Sequence, residues 1–415
     1  MSAFAVIARI FIVGTIFILI DYYSFQAVKV LLENTSGTTR KVVTHAWWSV
    51  TAFFVTTFIA GGIWSFETWN PHFRTYVQAF FVLALFTKLV ISLFMFVDDG
   101  RRVALAISNF WRATPVDYTS RSRFLATAGV LMGGIPFLTL SYGMLRNMYR
   151  YTLHTADVKI KNLADGLDGL RIVQISDIHS GSFTAKEPLN HAIEMINAQN
   201  ADIVVFTGDL VNNVATEIVE YIDVFSQIKA KHGVFSILGN HDYGDYVRWD
   251  SEEAKLKNLA DLADNHKKMG WDLLRNENRI LKINDAELAL IGVENFSAKL
   301  QFPKLGRLAD SYKGTENVAT KILLSHDPSH WDYEVNTKFS DIDLTLSGHT
   351  HGFQFGIEIP GYIKWSPSQY AYKQWGGLYR AGEQMLYVNR GFGCLGYPGR
   401  VGILPEITLL TLRKA

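Results

Sequence analysis

The stretch LSGHTHGFQFG at residues 346–356 places His349 and His351 one residue apart among glycines, directly after an apolar run. Two imidazoles that leave one tight loop pack poorly in a hydrophobic core, but they are well suited to binding a metal ion. The stretch therefore predicts a metal site at the end of a β-strand. Such a site needs further ligands from elsewhere in the chain.

Polar motifs also follow four other short apolar runs, at residues 171–175, 202–206, 234–238 and 321–324. The motifs that follow them are SDIH with Asp177 and His179, TGD with Asp209, GNHD with Asn240, His241 and Asp242, and SHD with His326. Each motif alone is more often a simple turn. Because ligand sites in α/β sheets form beyond the carboxyl ends of strands, the set of five predicts one shared crevice.

Residues 151–415 have the pattern of an α/β domain. Further β-branched runs occur at 287–293, 385–388 and 406–412, and helix-like segments occur at 188–199, 216–229 and 252–269. Strand-like and helix-like segments that alternate in this way predict a layered α/β sandwich around a mixed sheet.

Residues 1–150 have a different composition. The chain of 415 residues is 48% hydrophobic, and the excess is concentrated in runs at 3–20, 45–64, 76–97 and 124–145. Each run approaches the ~20 apolar residues that cross a bilayer, and Trp and Tyr residues cluster at the ends of the runs. We therefore predict an all-α region of four transmembrane helices at 1–150. Buried helices of a soluble core are the alternative.

The basic residues suggest an orientation in the membrane. They are more numerous in the loops after the first and third apolar runs than on the opposite side, which predicts that those loops are cytoplasmic and that residues 151–415 are extracytoplasmic. The net charge of +1 gives no indication of a nucleic-acid partner, and the single cysteine, Cys394, excludes an intramolecular disulfide.

Lys88 lies in the middle of the third apolar run. A charged residue at this position either has a structural role or has a function within the membrane. For a structural role, Asp21 or Glu67 could form an ion pair with it. In the second case, the membrane region could be a transporter or sensor that the second domain regulates.

The order of the five motifs resembles that of the calcineurin-like metallophosphoesterase superfamily, which carries D-x-H, G-D, G-N-H-D/E, H and G-H-x-H at its strand ends. The resemblance extends from about residue 153 to the C terminus, and the chain looks closest to a membrane-associated branch. It implies an α/β/β/α sandwich with mixed sheets and the hydrolysis of a phosphoester by a hydroxide that bridges two metal ions.

The same resemblance implies which residues hold the two divalent ions. The first ion is expected at Asp177, His179, Asp209 and His351, and the second at Asp209, Asn240, His326 and His349. Carboxylate and imidazole ligands suit Mn, Fe, Zn or Ni.

His241 is implied as a general acid that faces the leaving group. Asp242 is expected either to orient the imidazole of His241 or to cap a turn.

Many aromatic residues follow the last metal motif, at residues 355–379. They predict either ordinary loop packing or an apolar rim that meets a membrane or a lipid chain. Together with four transmembrane helices, the rim favours a lipid-linked or envelope phosphoester as the substrate. A metal-binding scaffold without activity is a further alternative, although no expected ligand is missing.

Overall fold

The computed structural model describes residues 3–64, 69–111, 116–117, 120–161, 163–359 and 361–415, with side chains from residue 12 onward. It divides into two units, Met1–Tyr142 and Gly143–Ala415. Residues 143–150 group with the second unit because Gly143 and Asn147 form hydrogen bonds with the backbone of Arg400. The boundary at 150/151 stays a prediction from sequence.

Four long helices account for the apolar runs. They are α1 (Ala3–Leu32), α2 (Gly37–Ile63), α3 (Pro71–Phe110) and α4 (Arg123–Arg146). Ser36 caps α2, and Asn70 caps α3 directly before Pro71. All four helices are long and apolar enough to cross a membrane, which confirms the predicted helical region. The helices α1 and α3 are both longer than the apolar runs at 3–20 and 76–97 from which they were predicted.

Lys88 of α3 is buried and paired. Its Nζ lies 2.9 Å from Oδ2 of Asp21 on α1, and the hydroxyl of Thr51 on α2 donates to the same oxygen. Of the two partners suggested by the sequence, Asp21 is therefore in place, whereas Glu67 lies outside the described residues. The pairing gives Lys88 a structural role in joining three helices.

Within the described residues 143–161, 163–359 and 361–415, the second unit has fourteen strands and five short or medium α-helices after α4. The strands are β1 (Thr152–Ile160), β2 (Arg171–Ile175), β3 (Ile203–Phe206), β4 (Val234–Ser236), β5 (Trp271–Leu273), β6 (Glu277–Ile283), β7 (Ala286–Gly292), β8 (Thr320–Leu324), β9 (Leu344–Ser347), β10 (Ile357–Ile359), β11 (Ile363–Trp365), β12 (Gly377–Ala381), β13 (Gln384–Val388) and β14 (Glu406–Lys414). The helices are α5 (Glu187–Asn197), α6 (Ile222–Phe225), α7 (Glu252–Lys268), α8 (Leu308–Tyr312) and α9 (Asn336–Lys338).

Two six-stranded mixed sheets form the framework. Their strand orders are β1-β14-β2-β3-β4-β5 and β12-β13-β9-β8-β7-β6, and β10 and β11 form a separate hairpin. In the first sheet β2, β3 and β4 are parallel, and in the second β7, β8 and β9 are parallel. The loops after β2, β3 and β4 therefore leave the same end of their sheet, as do those after β8 and β9.

Side-chain alternation along the strands produces the layers. On β2 and β3, Ile172 and Ile203 face the interior between the two sheets, where they pack with Leu290 and Leu324 of the second sheet. Their neighbours Val173 and Val204 belong to an outer core that also contains residues of α5 and α7. A third core, with Trp331 and Leu308, covers the other face of the second sheet. The layers confirm the expected α/β/β/α sandwich.

The segment 216–229 differs from the predicted continuous helix. It is a 3₁₀ turn, Ala215–Tyr221, followed by the single α-turn of α6. Asn258 on α7 accepts a hydrogen bond from the backbone N–H of Ala215. The start of this segment is thus fixed by a side chain of α7.

Candidate metal centre

The first group of ligands comes from the loops after β2 and β9. Asp177, His179 and His351 are buried, and one ligand atom of each lies within 4.8 Å of the others. Nε2 of His179 and Nε2 of His351 are 3.0 Å apart, and the latter is 3.3 Å from Oδ1 of Asp177. The backbone N–H of His349 also donates to Asp177, which joins the two loops.

The second group comes from the loops after β3, β8 and β9. It contains Asp209, His326 and His349, and one ligand atom of each lies within 4.8 Å of the others. Oδ2 of Asp209 lies 3.2 Å from Nε2 of His326 and 3.6 Å from Nε2 of His179. The carboxylate of Asp209 therefore contacts a histidine of each group, at the position that a ligand shared by two ions would take.

Asn240 offers a further oxygen. Its Nδ2 donates to the hydroxyl of Tyr246 at 2.8 Å, whereas its Oδ1 is buried without a hydrogen-bond partner among the described residues. Leaving a buried acceptor unpaired costs about 1–3 kcal/mol. A carbonyl oxygen in this state fits a cation ligand, so the donor set of carboxylates, imidazoles and one amide suits two divalent ions.

The ligand loops have an unusual backbone. Asp177, His179, Asp209, His349 and His351 all have positive φ angles, of 53°, 47°, 62°, 70° and 51°. Non-glycine residues rarely adopt this conformation, and each instance costs about 1–3 kcal/mol. The concentration of strained residues at one site is typical of a functional centre, where the backbone is bent so that side chains converge.

Two glycines of the motifs allow the loops to approach each other. A Cβ atom at Gly348 would overlap with the carboxylate of Asp177, and one at Gly239 would overlap with the carboxylate of Asp209. The glycines in G-N-H-D and G-H-x-H are therefore needed for space next to the ligands.

Asp242 does not orient the imidazole of His241, which corrects the first of the two expectations for it. Its carboxylate accepts backbone N–H groups from Gly239 at 2.8 Å, and from Asp209 and Leu210 at 2.9 Å each. Burial and then the charge of Asp209 raise the pKa of Asp242 to about 7. The backbone N–H of Val211 donates to the same carboxylate at 3.3 Å, so Asp242 accepts from four backbone groups and ties the loop after β3 to the loop after β4.

His241 is held by backbone groups and by Tyr246. The backbone N–H of His241 donates to Oδ1 of Asp209 at 2.8 Å, and the ring atom Nδ1 lies 2.7 Å from the carbonyl oxygen of Asn212. The ring of Tyr246 packs against the imidazole at 4.4 Å. If Nδ1 donates to that carbonyl, Nε2 is the nitrogen left for proton exchange.

The protonation states of three of the four histidines in the two ligand groups favour metal binding. Burial lowers the pKa of His179 to about 3 and that of His349 to about 4, and it lowers the pKa of His351 well below its ordinary value. These imidazoles are neutral at pH 7, in the form that binds a metal. Burial opposes protonation of His326 as well, but the charge of Asp209 outweighs it and raises the pKa of His326 to about 10.

Several supporting residues were not predicted as parts of the site. The carbonyl of Thr207 lies 2.7 Å from Nδ1 of His326, and the hydroxyl of Tyr372 lies 2.7 Å from Nε2 of His349. Such contacts fix the ring orientation of metal-binding histidines. Tyr372 lies in the aromatic segment 355–379, where no spacing distinguishes it from its neighbours.

Arg400 and Arg390, which follow β13, are structural. Arg400 is fully buried and donates to the carbonyl oxygens of Gly393 and Arg390. Arg390 pairs with Glu406 and Glu358 at 2.7 Å each. Both guanidinium groups are therefore bound to protein partners, although Nε of Arg390 is buried without a hydrogen-bond partner among the described residues.

We predict that Asp242→Ala destabilises the second unit more than Asp242→Asn does. Alanine leaves four buried N–H groups, those of Asp209, Leu210, Val211 and Gly239, without this acceptor, at about 1–3 kcal/mol each, whereas asparagine keeps one acceptor oxygen. Thermal unfolding of the purified chain in detergent tests the order. A shifted pH–rate profile in Asp242→Asn at an unchanged unfolding temperature would instead indicate that the carboxylate of Asp242 orients the imidazole of His241.

Two family models match the chain. A model described as "Probable Calcineurin-like phosphoesterase, transmembrane domain" covers residues 8–148. A model described as "Calcineurin-like phosphoesterase" covers residues 170–353, which include every residue of the two ligand groups.

Individual proteins are similar over longer stretches. "Uncharacterized metallophosphoesterase YkuE" of Bacillus subtilis is 32% identical over 304 residues, which are 71% of this chain and 98% of that protein. "Transmembrane protein with metallophosphoesterase domain" of Danio rerio is 30% identical over 66% of this chain, but the match spans only 60% of that protein. "UDP-2,3-diacylglucosamine pyrophosphatase LpxG" of Chlamydia trachomatis is 28% identical over 55% of this chain and 79% of its own length. The chain therefore belongs to the calcineurin-like metallophosphoesterases, as a membrane protein of that family and a metal-dependent phosphoester hydrolase.

Proposed function

We propose that the chain is a membrane-anchored phosphoesterase with a dinuclear metal centre and a lipid-linked substrate. The position of Asp209 carries the proposal, because one carboxylate lies within 3.6 Å of a histidine from each ligand group. A single-ion site would not need a carboxylate between two sets of ligands.

The proposed ligand sets are those that the family resemblance implies, and the two groups of neighbouring side chains support them. One ion is held by Asp177, His179, Asp209 and His351, and the other by Asp209, Asn240, His326 and His349. When bound, two divalent ions polarise the phosphoryl oxygens and lower the pKa of a coordinated water from ~15.7 towards ~7. The oxygen and nitrogen donors accept Mn, Fe, Zn or Ni.

His241 is the proposed proton donor to the leaving group. A water that has already lost a proton would bond to phosphorus as the ester P–O bond breaks, and His241, protonated at Nε2, would give that proton to the departing oxygen and become neutral. The hydrogen bonds to Asp209 and Asn212 support this role, because they hold the ring and its backbone next to the ligand groups.

Two observations support a lipid-linked substrate. Four helices can place the chain in a bilayer, and a relative is named for a pyrophosphatase that acts on UDP-2,3-diacylglucosamine, a nucleotide diphosphate with two acyl chains. We propose the same chemical class here, a phosphoester or diphosphate attached to a lipid. We also propose that the second unit is extracytoplasmic, as the basic loops predict, and a reporter fused after Ala415 tests the side.

Asp209→Asn should remove metal-dependent turnover and most of the bound metal. The substitution takes away the charge that both proposed sets share, so the affinity for both ions falls. We would measure metal content and the hydrolysis of an aryl phosphomonoester and phosphodiester by the full chain in detergent, with Mn, Zn, Ni or a chelator.

Asp223→Asn is the matched control, because Asp223 is exposed on α6 and pairs only with Lys186 at the surface. Turnover that survives both the chelator and Asp209→Asn would contradict the metal centre. Loss of one ion alone would contradict a shared carboxylate.

His241→Ala should lower kcat by about 10²–10⁴-fold, the usual contribution of a general acid, while metal content stays unchanged. The exposed histidine His191 on α5 provides the control variant His191→Ala. If His241→Ala loses metal in proportion to its activity, the residue is a ligand rather than an acid.

The rate should also depend on the acyl chains of the substrate. We expect kcat/KM to rise with chain length for a lipid-linked diphosphate presented in mixed micelles, because each buried CH₂ contributes about 0.8 kcal/mol. Equal rates for long-chain, short-chain and deacylated substrates would rule out recognition of the lipid part.

A further inference from the structure

The hairpin formed by β10 and β11 begins a few residues after the last metal ligand. Its strands are antiparallel, with Ile357 opposite Trp365, Glu358 opposite Lys364 and Ile359 opposite Ile363. Because side chains alternate across a strand, one face of the hairpin carries the charged pair and the other carries the apolar residues.

The charged face contacts the protein through both of its charged side chains, of which Glu358 is partly buried and Lys364 is exposed. Oε1 of Glu358 lies 2.7 Å from Nη2 of the buried Arg390. Nζ of Lys364 donates to the carbonyl oxygen of Gly376 at 2.5 Å and to the hydroxyl of Tyr379 at 3.3 Å. These contacts fix which side of the hairpin is directed inward.

The apolar face is directed outward. Ile357 and Ile359 are each 50% exposed, Ile363 is 48% exposed, and Tyr362 at the turn is 87% exposed. An antiparallel strand pair in water normally covers its apolar face and exposes its polar one. The hairpin has the opposite arrangement, and contiguous exposed apolar groups of this kind indicate an interaction surface.

Phe353 extends this surface to the metal loop. It lies two residues after His351, is 65% exposed, and has a φ of 56°. The strained backbone turns a large apolar side chain to the outside directly next to a ligand. The surface and the candidate metal centre therefore belong to one continuous segment.

The residue types identify a bilayer as the partner. Isoleucines surrounded by the exposed rings of Tyr362 and Tyr370 match the boundary between acyl chains and headgroups, where amphipathic aromatic rings concentrate. Two further basic residues of the segment 353–380, Lys373 and Arg380, are exposed and do not belong to the charged face, and their charge complements anionic headgroups. The same chain also has four helices that can span a membrane.

We propose that the hairpin face, defined as Ile357, Ile359, Tyr362 and Ile363, inserts into the bilayer interface and directs the metal centre towards lipid headgroups. The insertion itself stands on the hairpin and on the membrane helices. Its consequence for turnover rests on the lipid-linked substrate proposed above.

Site-directed spin labelling tests the insertion. The only cysteine, Cys394, is buried at 1% exposure, so the unaltered chain should take up no label. A nitroxide is attached at Tyr362→Cys in the full chain, in nanodiscs of phosphatidylcholine and phosphatidylglycerol. The control is Glu383→Cys, at an exposed position between β12 and β13.

We expect the label at 362 to collide more often with oxygen, which partitions into the bilayer, than with an aqueous nickel chelate. The label at 383 should show the reverse. Equal behaviour of the two labels would overturn the proposal. Spin–spin broadening at 362 would also overturn it, in favour of a contact between two copies of the chain.

Turnover tests the consequence. The triple variant Ile357→Ser, Ile359→Ser, Ile363→Ser should lower the ratio of lipid-substrate to soluble aryl-ester hydrolysis by about tenfold or more, given ~25 cal/mol for each Å² of apolar surface buried. The matched control replaces three exposed apolar residues outside the hairpin, Val219, Leu256 and Ile280, by serine.

The two readouts separate the proposals. An unchanged ratio in the hairpin variant would overturn the proposed direction of the metal centre towards headgroups. If the label at 362 is in the bilayer while no lipid ester is turned over by the unaltered chain, insertion is supported and the proposed lipid substrate is wrong.

Discussion

The arrangement of the metal centre depends on the position of one buried carboxylate. Asp209 follows β3, contacts His179 from the neighbouring loop and His326 from the other sheet, and accepts the backbone N–H of His241. Parallel strands alone bring loops to one end of a sheet. The contacts of this carboxylate with histidines from both sheets, together with the hydrogen bond from the backbone N–H of His349 to Asp177, join the two sets of loops at one site.

A buried carboxylate of this kind must itself be held in place. Asp242 does so by accepting the backbone N–H groups of Gly239, Asp209 and Leu210, which would otherwise be unsatisfied donors. The strain of the positive φ angles at the ligands is compatible with a stable fold because such hydrogen bonds determine each loop in several places. The proposed proton donor and the carboxylate that holds the loops are thus neighbours in sequence, His241 and Asp242.

Much of this organisation could be predicted from sequence. The strands that precede the ligands are almost entirely buried and mostly apolar, so their runs stand out, and the polar motifs mark their ends. Edge strands were not recognised: β1 alternates partly buried and exposed residues, β6 is largely exposed, and β5 has only three residues. The sequence also leaves two roles open for Asp242. It is adjacent to His241 in the chain, but the sequence does not show that the two side chains contact different partners. Tyr246 and Tyr372 reach the site from loops whose course depends on tertiary packing.

The structure of the hairpin after the last proposed ligand shows which of its faces is exposed. Composition alone does not decide this. An aromatic and aliphatic segment in a loop is equally compatible with burial and with exposure. The direction of its charged face decides between them here, because Glu358 and Lys364 are engaged by Arg390 and Gly376 on the protein side. With the polar groups satisfied inward, the isoleucines are left to face outward. A surface that is unfavourable in water is favourable at a bilayer, so the membrane helices and the hairpin make consistent physical demands on the environment of the same chain.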